Sequence, residues 1–326
     1  MKLATIKASS KDGNLAVVSK DLKRAILVPS IASTMQYALD NWQKLEPKLQ
    51  EAYAQLNLGK VEGQFEFNEK AALSPLPRAY QFADASAYVN HVELVRKARG
   101  VIMPESFWHE PLFYQASSDK FLAPHENIPV KELSWGADFE AEIAVITDEV
   151  PLGATKAEAI PHIKLLMLVN DVSLRNLIPD ELAKGFGFFQ SKPASAFSPV
   201  AVTPDELGLA WDDQRVHLPL MVHFNTNLFG QPNAGVDMVF NFAELIAHVA
   251  KTRYLGAGSI IGSGTVSNYD KSLGSCCIVE KRMLEIIKDG AAITPYMQYG
   301  DNVRIEMFDQ SGQSIFGAID QKVVPY

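Results

Sequence analysis

Cysteine is scarce in this sequence. The 326 residues include only two, Cys276 and Cys277, and they are adjacent, a spacing that strains a disulfide bridge. The sequence also lacks the spaced cysteines and histidines that predict a zinc site. A chain of this length buries roughly three quarters of its unfolded surface, so it needs no disulfides for stability. We therefore expect a reducing, cytoplasmic environment.

Long apolar runs are missing as well. The first residues, MKLATIKASSKDG, contain no continuous apolar segment, so no secretory signal is expected. No stretch of about 18 apolar residues predicts a membrane-spanning helix. Basic residues number 30 against 38 acidic ones, and this net charge of −8 argues against a nucleic acid or an anionic membrane as a partner. The hydrophobic content of 47% is typical of a globular protein.

The N-terminal part alternates between short strands and a helix. Residues 1–30 are predicted as strands broken by turns, and residues 33–56 have the three- and four-residue apolar spacing of an amphipathic helix. A linker rich in proline, residues 73–77, follows a further strand. We therefore place a domain boundary near residue 70, between a small β-rich domain, 1–70, and a large domain, 71–326.

The large domain shows the alternation of strands more than the periodicity of helices. Its predicted strands and strand–turn units include residues 139–146 and 283–290, and its helices are confined to about 86–98, 156–167 and 242–252. Glycine and proline clusters recur between these segments. Many short strands with few helices predict a β-rich α+β fold.

The segment Asp138-Phe-Glu140-Ala-Glu142 is the most informative in the sequence. Side chains alternate between the two faces of a strand, so Glu140 and Glu142 point the same way and the intervening apolar residues can pack into a core. Two neighbouring carboxylates repel each other unless a cation lies between them. The pattern alone therefore favours a solvated strand face, and a cation site is the alternative.

Other acidic residues and a histidine are candidates for the same site. Asp171 ends an apolar run, where a buried carboxylate is costly unless it is paired or binds a metal, although an Asx turn or a helix cap also explains it. Asp84 precedes a predicted helix, 85–98, which it can cap. His91 lies seven residues further along, on the same face if the helix holds, and is either a site residue or a structural histidine.

A lysine and a glycine-rich turn complete the set of candidates. Lys192 follows a loop broken by Gly185 and Gly187, and it is either a site residue or an ordinary surface lysine. The loop lacks the pattern of a phosphate-binding loop. The turn Gly262-Ser-Gly-Thr265 allows the close approach of a ligand or is a plain β-turn.

In their order and spacing, these pieces resemble the fumarylacetoacetate hydrolase family over about residues 72–326. The E-x-E strand, the segment from Asn170 to Arg175 and the S-G-T turn carry the resemblance. It implies a small SH3-like β domain followed by a mixed β-sandwich or roll hydrolase domain of the fumarylacetoacetase type. It also implies a divalent cation, Mg²⁺, Ca²⁺ or Mn²⁺, which all prefer oxygen ligands. The implied ligands are Asp84, Glu140, Glu142 and Asp171.

The resemblance also implies roles for the remaining residues. His91 matches the catalytic histidine, and a downstream glutamate orients it, with Glu280 as the assignment and Glu285 as the alternative. Arg175 and Lys192 match positions that contact the substrate or the developing oxyanion. The implied substrate-binding residues are Tyr114, Arg175, Lys192 and Thr265.

The implied activity is metal-dependent hydrolysis of a carbon–carbon bond in a 1,3-diketo acid. Cleavage of fumarylacetoacetate to fumarate and acetoacetate, a step of tyrosine degradation, is the expected reaction, and related 2-keto acid enzymes (acylpyruvases, hydratases, isomerases or decarboxylases) are the alternatives. Ile178 stands where the family has a substrate-contacting glutamine, which leaves a non-catalytic metal-binding module open. The expected partner is the diketo acid itself, and the expected assembly is a homodimer.

Overall fold

The fold is mixed α+β and rich in sheet. A computed structural model describes residues 1–98 and 100–326. Their strands are β1 (Lys2–Ile6), β2 (Asn14–Val18), β3 (Arg24–Leu27), β4 (Phe65–Glu66), β5 (Ala72–Leu73), β6 (Phe82–Ala85), β7 (Phe113–Ala116), β8 (Ile128–Val130), β9 (Ala137–Asp138), β10 (Ala141–Thr147), β11 (Ile163–Asn170), β12 (Ser173–Leu174), β13 (Ala196–Phe197), β14 (Ala201–Val202), β15 (Trp211–Asp212), β16 (Arg215–Val216), β17 (Met221–Phe224), β18 (Asn227–Gly230), β19 (Ile260–Gly262), β20 (Asn302–Glu306) and β21 (Ile319–Pro325).

The helices are short and lie between the strands. They are α1 (Met35–Asp40), α2 (Trp42–Asn57), α3 (Val89–Ala98), α4 (Lys156–Ala159), α5 (Ile178–Leu182), α6 (Phe242–Ala250) and α7 (Ile278–Asp289), with 3₁₀ turns at Glu69–Ala71, Glu105–Trp108, Leu133–Trp135, Ile160–His162, Pro204–Ala210 and Lys271–Leu273. Within the described part of the chain, no helix is both long and apolar enough to cross a membrane.

One large sheet organises the molecule. Among the described residues it has 12 strands, in the order β4-β3-β2-β1-β14-β11-β10-β19-β6-β7, with β13 against β11 and β5 against β1. A five-stranded sheet has the order β18-β17-β20-β21-β8, and two small pairs are β9–β12 and β15–β16. Most neighbours are antiparallel, but β6 runs parallel to β19, and β8 parallel to β21. The order places β11, β10, β19 and β6 side by side.

The N-terminal strands continue this large sheet. Strand β1 pairs with β14, with Lys2 opposite Val202. Apolar residues from both parts, including Leu3, Trp42 and Phe197, pack in one buried cluster. The two parts of the chain therefore share a core. The SH3-like form of residues 1–70 and the boundary near residue 70 stay predictions.

Several predicted elements differ from the structure. The helix predicted at 242–252 is confirmed as α6, and that predicted at 33–56 is divided into α1 and α2. The helix predicted at 156–167 is wrong beyond His162, because residues 163–170 form the buried strand β11, and apolar runs alone do not separate buried strands from helices. The strand predicted at 283–290 is also wrong. Met283, Ile286 and Ile287 have helical spacing and lie on α7.

Candidate active site

Neighbouring strands bring the predicted carboxylates together. Glu142 on β10 pairs with Val169 on β11, and the Asp171 N–H donates to the Glu140 carbonyl at 2.9 Å. Paired residues share a face of the sheet, so Glu140, Glu142 and Asp171 project from the same face. Asp84 lies on β6, opposite Gly262 of β19. The alternative that Asp84 caps the predicted helix is excluded, because residues 82–85 pair as a strand and α3 begins only at Val89.

The strand face that carries Glu140 and Glu142 is buried. Glu140 is 6% exposed and Glu142 is 0% exposed, so the interpretation as a solvated strand face is excluded. On the opposite face Phe139, Ala141 and Ile143 join the main core, as the alternation predicted. A buried carboxylate needs a cation or hydrogen-bond donors, so each has to be accounted for.

Three of the carboxylates form a cluster. Oxygen atoms of Asp84, Glu142 and Asp171 all lie within 4.8 Å of one another. Both carboxylate oxygens of Glu142 are buried and have no hydrogen-bond partner among the described residues. Burial and the charges of Asp84 and Asp171 hold the pKa of Glu142 well above its usual range, and burial with the Asp171 charge raises the pKa of Asp84 to about 8.

This cluster fits a divalent cation. Its donors are all carboxylate oxygens, which suit Mg²⁺, Mn²⁺ and Ca²⁺. The orphaned oxygens of Glu142 point to a ligand, since buried polar atoms in native proteins normally have a partner. The structure places Glu140 outside this three-residue cluster.

Two glycines fit closely around Asp84. A Cβ atom at Gly262 would overlap the Asp84 carboxylate, and one at Gly264 would overlap the Ala85 carbonyl. Gly264 also has a φ of +76°, in the left-handed region that favours glycine, and its N–H donates to Asp84 Oδ1 at 3.2 Å. The S-G-T turn therefore approaches the carboxylate cluster directly, and Thr265, which follows it, is buried.

Glu140 is held by two cations of the protein. Arg175 Nη2 lies 2.7 Å from Glu140 Oε1, and Lys192 Nζ lies 2.5 Å from Oε2. Burial alone would raise the pKa of Glu140, but Arg175 and Lys192 outweigh it and hold that pKa below its usual range. Lys192 Nζ also lies 2.6 Å from Asp171 Oδ2, so its ammonium group joins Glu140 to the cluster. Lys192 is buried and is not a surface lysine.

Asp138 is a site residue that the sequence analysis did not assign. Its fully buried carboxylate accepts a hydrogen bond from Arg175 Nε at 2.8 Å, and others from the N–H groups of Ile278 at 2.7 Å and Val279 at 2.9 Å. It therefore stabilises the N-terminus of α7, where N–H groups without a partner inside the helix favour an acidic group. Its two-residue spacing from Glu140 indicates the same strand face, but the local sequence does not indicate that the start of α7 packs against it.

Asp171 has three side-chain partners. Besides Lys192, Tyr114 donates its hydroxyl to Oδ2 at 2.5 Å and Ser195 to Oδ1 at 2.7 Å. Phe188 packs edge-on against the Tyr114 ring, with centroids 5.3 Å apart. Burial, with the charges of Asp171 and Asp84, holds the pKa of Tyr114 well above its usual range, so Tyr114 remains a hydroxyl donor.

His91 is paired with Glu280. The distance between His91 Nδ1 and Glu280 Oε2 is 2.8 Å, and the Glu280 side chain is fully buried. Glu285 instead accepts hydrogen bonds from the backbone of Ile293 and Thr294. The structure therefore brings Glu280, and not Glu285, to His91. Glu140 forms an isolated β-bridge with Cys277, the residue that precedes α7, so the helix that carries Glu280 begins beside the carboxylates.

The predicted glutamine position remains apolar in the structure. Ile178 begins α5, three residues after Arg175, and its side chain is buried. In the same helix, Glu181 accepts hydrogen bonds from the backbone N–H groups of Phe189, Gln190 and Ser191. The helix therefore fixes the end of the loop that leads to Lys192, although it presents no amide at residue 178.

Comparisons with known proteins agree with this architecture. The family model described as fumarylacetoacetate (FAA) hydrolase C-terminal matches residues 81–324, and that described as fumarylacetoacetase N-terminal domain 2 matches residues 1–78. A curated relative, 2,4-didehydro-3-deoxy-L-rhamnonate hydrolase of Sphingomonas sp. (strain SKA58), is 28% identical over 159 residues, 48% of this chain and 53% of that protein. The chain thus spans about half the length of the curated relatives it matches.

Solved structures share the fold over the full chain. A putative HpcE protein from Mycobacterium smegmatis is 20% identical with a TM-score of 0.70, covering 100% of this chain and 99% of that one. Maleylpyruvate hydrolase from Sphingobium sp. SYK-6, in complex with manganese(II) ion and pyruvate, is 16% identical with a TM-score of 0.65 and the same coverage. With three quarters of its length matched by one family model, the chain belongs to the fumarylacetoacetate (FAA) hydrolase family.

Proposed function

We propose that this protein is a divalent-cation-dependent hydrolase of a carbon–carbon bond in a 1,3-diketo acid. Fumarylacetoacetate, cleaved to fumarate and acetoacetate, is the proposed substrate. One observation carries the proposal: α7, which brings Glu280 to His91, begins after Cys277, and Cys277 bridges Glu140 beside the buried carboxylates of Asp84, Glu142 and Asp171. A base beside a cation site is the combination that hydrolysis of a diketone requires.

The carboxylates supply the cation site. Asp84, Glu142 and Asp171 are the assigned ligands, and Glu140 is assigned as a fourth that also binds Arg175 and Lys192. When bound, the cation supplies Lewis-acid polarisation of the diketo oxygens. Tyr114, Ser195 and Lys192 fix the Asp171 carboxylate for this role, since partners outside the ligands orient them.

His91 is the proposed general base. If its Nδ1 donates to Glu280, its Nε2 carries the free lone pair and can take a proton from the attacking water. The water oxygen adds to one carbonyl, the carbon–carbon bond breaks, and the released carbon takes up a proton, which the imidazolium can return. His91 is partly exposed at 15%, so solvent water reaches it.

Lys192 is the proposed oxyanion stabiliser. Asp171 and Glu140 hold its pKa above the usual range, against the effect of burial, so it stays an ammonium ion. Arg175 is already bound to Asp138 and Glu140, and its proposed share in substrate binding is through the orientation of those groups. Loss of one such donor typically lowers kcat by about 10²–10³. Tyr114 and Thr265 are the proposed lining residues.

The direct test is a metal-dependent assay. We expect metal-free protein to regain cleavage with Mg²⁺, Mn²⁺ or Ca²⁺, read as loss of the diketone absorbance together with formation of fumarate. His91→Ala should abolish turnover and leave cation binding intact. His162→Ala is the matched control, because His162 also pairs with a carboxylate, Asp148 at 2.6 Å, but outside this site. Near-normal turnover by His91→Ala would remove His91 from the mechanism.

Product analysis separates this proposal from its alternatives. A hydratase would add water without chain cleavage, an isomerase would conserve the mass of the substrate, and a decarboxylase would release carbon dioxide. Protein that binds the cation but is inert towards a panel of 2,4-diketo and 2-keto acids would favour the non-catalytic module.

A homodimer is the proposed assembly. Phe186 and Phe189, in the loop that leads to Lys192, are 99% and 86% exposed, and Ile102 is 89% exposed. Exposed aromatic side chains are enriched at interfaces, which supports the proposal. Light scattering on the wild type and on Phe186→Ser tests it, and a wild-type monomer at working concentration would contradict it.

A further inference from the structure

The His91–Glu280 pair has a third member. Lys271 Nζ lies 3.0 Å from Glu280 Oε1, while Glu280 Oε2 binds His91. The Lys271 side chain is 26% exposed and the Glu280 side chain is fully buried, so the lysine reaches from the surface onto a carboxylate inside the protein. The three residues come from separate elements: the 3₁₀ turn Lys271–Leu273, α7 and α3.

A buried carboxylate needs positive charge nearby. Burial would raise the pKa of Glu280, but the hydrogen bond with His91 and the charge of Lys271 lower it below its usual value. With His91 neutral, Lys271 is the permanent cation bound to Glu280 among the described residues. It therefore allows Glu280 to stay ionised without a positive charge on His91.

The general base requires that arrangement. An imidazole accepts a proton at Nε2 only while it is neutral and carries its hydrogen on Nδ1. Without Lys271, the buried Glu280 charge would be relieved in one of two ways: His91 would take a proton, or Glu280 would. Protonated His91 has no free lone pair, and protonated Glu280 no longer selects the Nδ1–H form.

A second set of contacts fixes the geometry. Ser267 Oγ accepts hydrogen bonds from Lys271 Nζ at 3.2 Å and from Asn90 Nδ2 at 3.0 Å. Asn90 is the residue before His91 on α3, and both Asn90 and Ser267 are buried. Lys271 is thus tied to Glu280 and, through Ser267, to the helix turn that carries His91.

We propose that Lys271 is a positioning residue that acts through Glu280 to keep His91 neutral, with its hydrogen on Nδ1. The catalytic part of this inference rests on the proposed function, in which His91 is the base. The hydrogen-bonding part concerns the protein itself and is measurable without turnover.

The experiment compares four variants with the wild type. Lys271→Met removes the charge, Lys271→Arg retains it, and Lys281→Met is the matched control. Lys281 lies on α7 next to Glu280 in sequence, but its ammonium group lies 5.2 Å from the centre of the Phe229 ring. Lys271→Gln provides a second neutral variant, and thermal unfolding checks that each variant is folded.

Two readouts are taken on the same samples. Nitrogen-15 NMR of labelled histidine reports the protonation and tautomer of His91 near neutral pH, with His91→Gln used to assign its signal among the seven histidines. Steady-state kinetics separate kcat from KM. We expect Lys271→Met and Lys271→Gln to shift His91 towards the imidazolium or the Nε2–H form and to lower kcat by about tenfold or more, with KM nearly unchanged.

The outcomes are separable. The inference is supported if Lys271→Arg and Lys281→Met retain the wild-type His91 signals and kcat. The two neutral variants of Lys271 should lose both. Unchanged His91 signals, or unchanged kcat, in the folded neutral variants overturn it. If the wild type cleaves no diketo acid, the proposed function fails, and the NMR comparison alone still decides whether Lys271 sets the state of His91.

Discussion

Glu142 lies on β10 and Glu140 immediately precedes that strand, two residues away on the same face, yet their surroundings are opposite. Glu140 accepts hydrogen bonds from Arg175 and Lys192, and these cations lower its pKa. Glu142 has no hydrogen-bond partner among the described residues, and its pKa is raised. The charge state and contacts of each carboxylate therefore depend on which distant segments of the chain pack against it.

The two carboxylates divide the site into two sides. The Glu140 side consists of Glu140, Asp138, Arg175 and Lys192, and its charges are neutralised by the protein itself. The Glu142 side consists of Asp84, Glu142 and Asp171, which approach one another without an equal number of cations. The first side therefore maintains the shape of the site, and the second is suited to an added cation.

The largest expected effect is on the Glu140 side. Arg175→Met leaves the buried carboxylates of Asp138 and Glu140 without their shared cation, and breaking a buried pair in this way typically costs about 3–5 kcal/mol. Urea unfolding of the metal-free protein measures this loss. Glu142→Gln is the control and should not lower stability, because the raised pKa of the buried Glu142 carboxyl favours its neutral form, which glutamine matches in charge. A loss below about 1 kcal/mol in Arg175→Met, as is typical of an exposed pair, would show that the stability of the Glu140 side does not depend on Arg175.

Cation affinity should respond in the opposite order. Glu142→Gln should weaken Mn²⁺ binding by about 100-fold or more, since even partners of ligands contribute 10–100-fold. Glu140→Gln should weaken it less, because the Glu140 carboxylate is shared with Arg175 and Lys192. Calorimetry on both variants and the wild type measures the difference. Equal losses would show that both glutamates are equivalent ligands.

Binding of the cation should release protons. The pKa of Asp84 is raised to about 8 and that of Glu142 is raised well above its ordinary value, so the metal-free protein holds protons there at neutral pH. Affinity should therefore fall about tenfold per pH unit per proton as the pH drops below 8. Titrations in two buffers with different ionisation heats count the protons, and Asp84→Asn should release fewer. A heat independent of buffer would contradict the raised pKa values.

The same raised pKa values give a sign for stability. A folded carboxyl with a pKa above its unfolded value binds more protons than the unfolded chain between about pH 4 and 8. The contribution of Asp84 to the stability of the metal-free protein should therefore decrease as the pH rises through that window. Asp84→Asn should flatten this dependence in unfolding curves.

The smallest change should come from weakening Asp171, the residue of the Glu142 side that binds Lys192 of the Glu140 side. Tyr114→Phe removes one hydrogen bond to Asp171, while Lys192 and Ser195 remain bound to it. A single hydrogen bond to a charged group contributes about 1.5–3 kcal/mol, so kcat/KM should fall by roughly 10- to 100-fold. The exposed Tyr37→Phe is the control. An unchanged kcat/KM would remove Tyr114 from the site.

Local patterns predicted the parts of this site that depend on one segment. The alternation around Glu142 predicted a strand with Ile143 and Val145 in a core and Glu142 on the other face, and β10 has this arrangement. The end of the apolar run predicted a special role for Asp171, which follows β11. These features depend on the period of a strand, which the sequence contains directly.

The remaining contacts depend on packing between distant segments. Whether Glu280 or Glu285 meets His91 is decided by how α3 packs against α7, and both glutamates are compatible with the sequence. Asp138 and Lys271 were not assigned because their partners lie on elements whose directions are fixed only in the folded chain. The partners of Asp138 are 37 to 141 residues away, and Glu280 is 9 residues from Lys271. The strand position of Asp84 was not predicted, because the pairing of β6 with β19 is also nonlocal.

The pairing of β1 with β14 has a practical consequence for solubility. A shortened protein that begins at residue 81 would lose β1 and expose the backbone edge of β14, together with apolar side chains such as Leu165 and Phe197. An uncovered strand edge beside apolar surface is a template for aggregation. The N-terminal segment therefore covers this strand edge, and residues 81–326 should be produced with residues 1–78 attached.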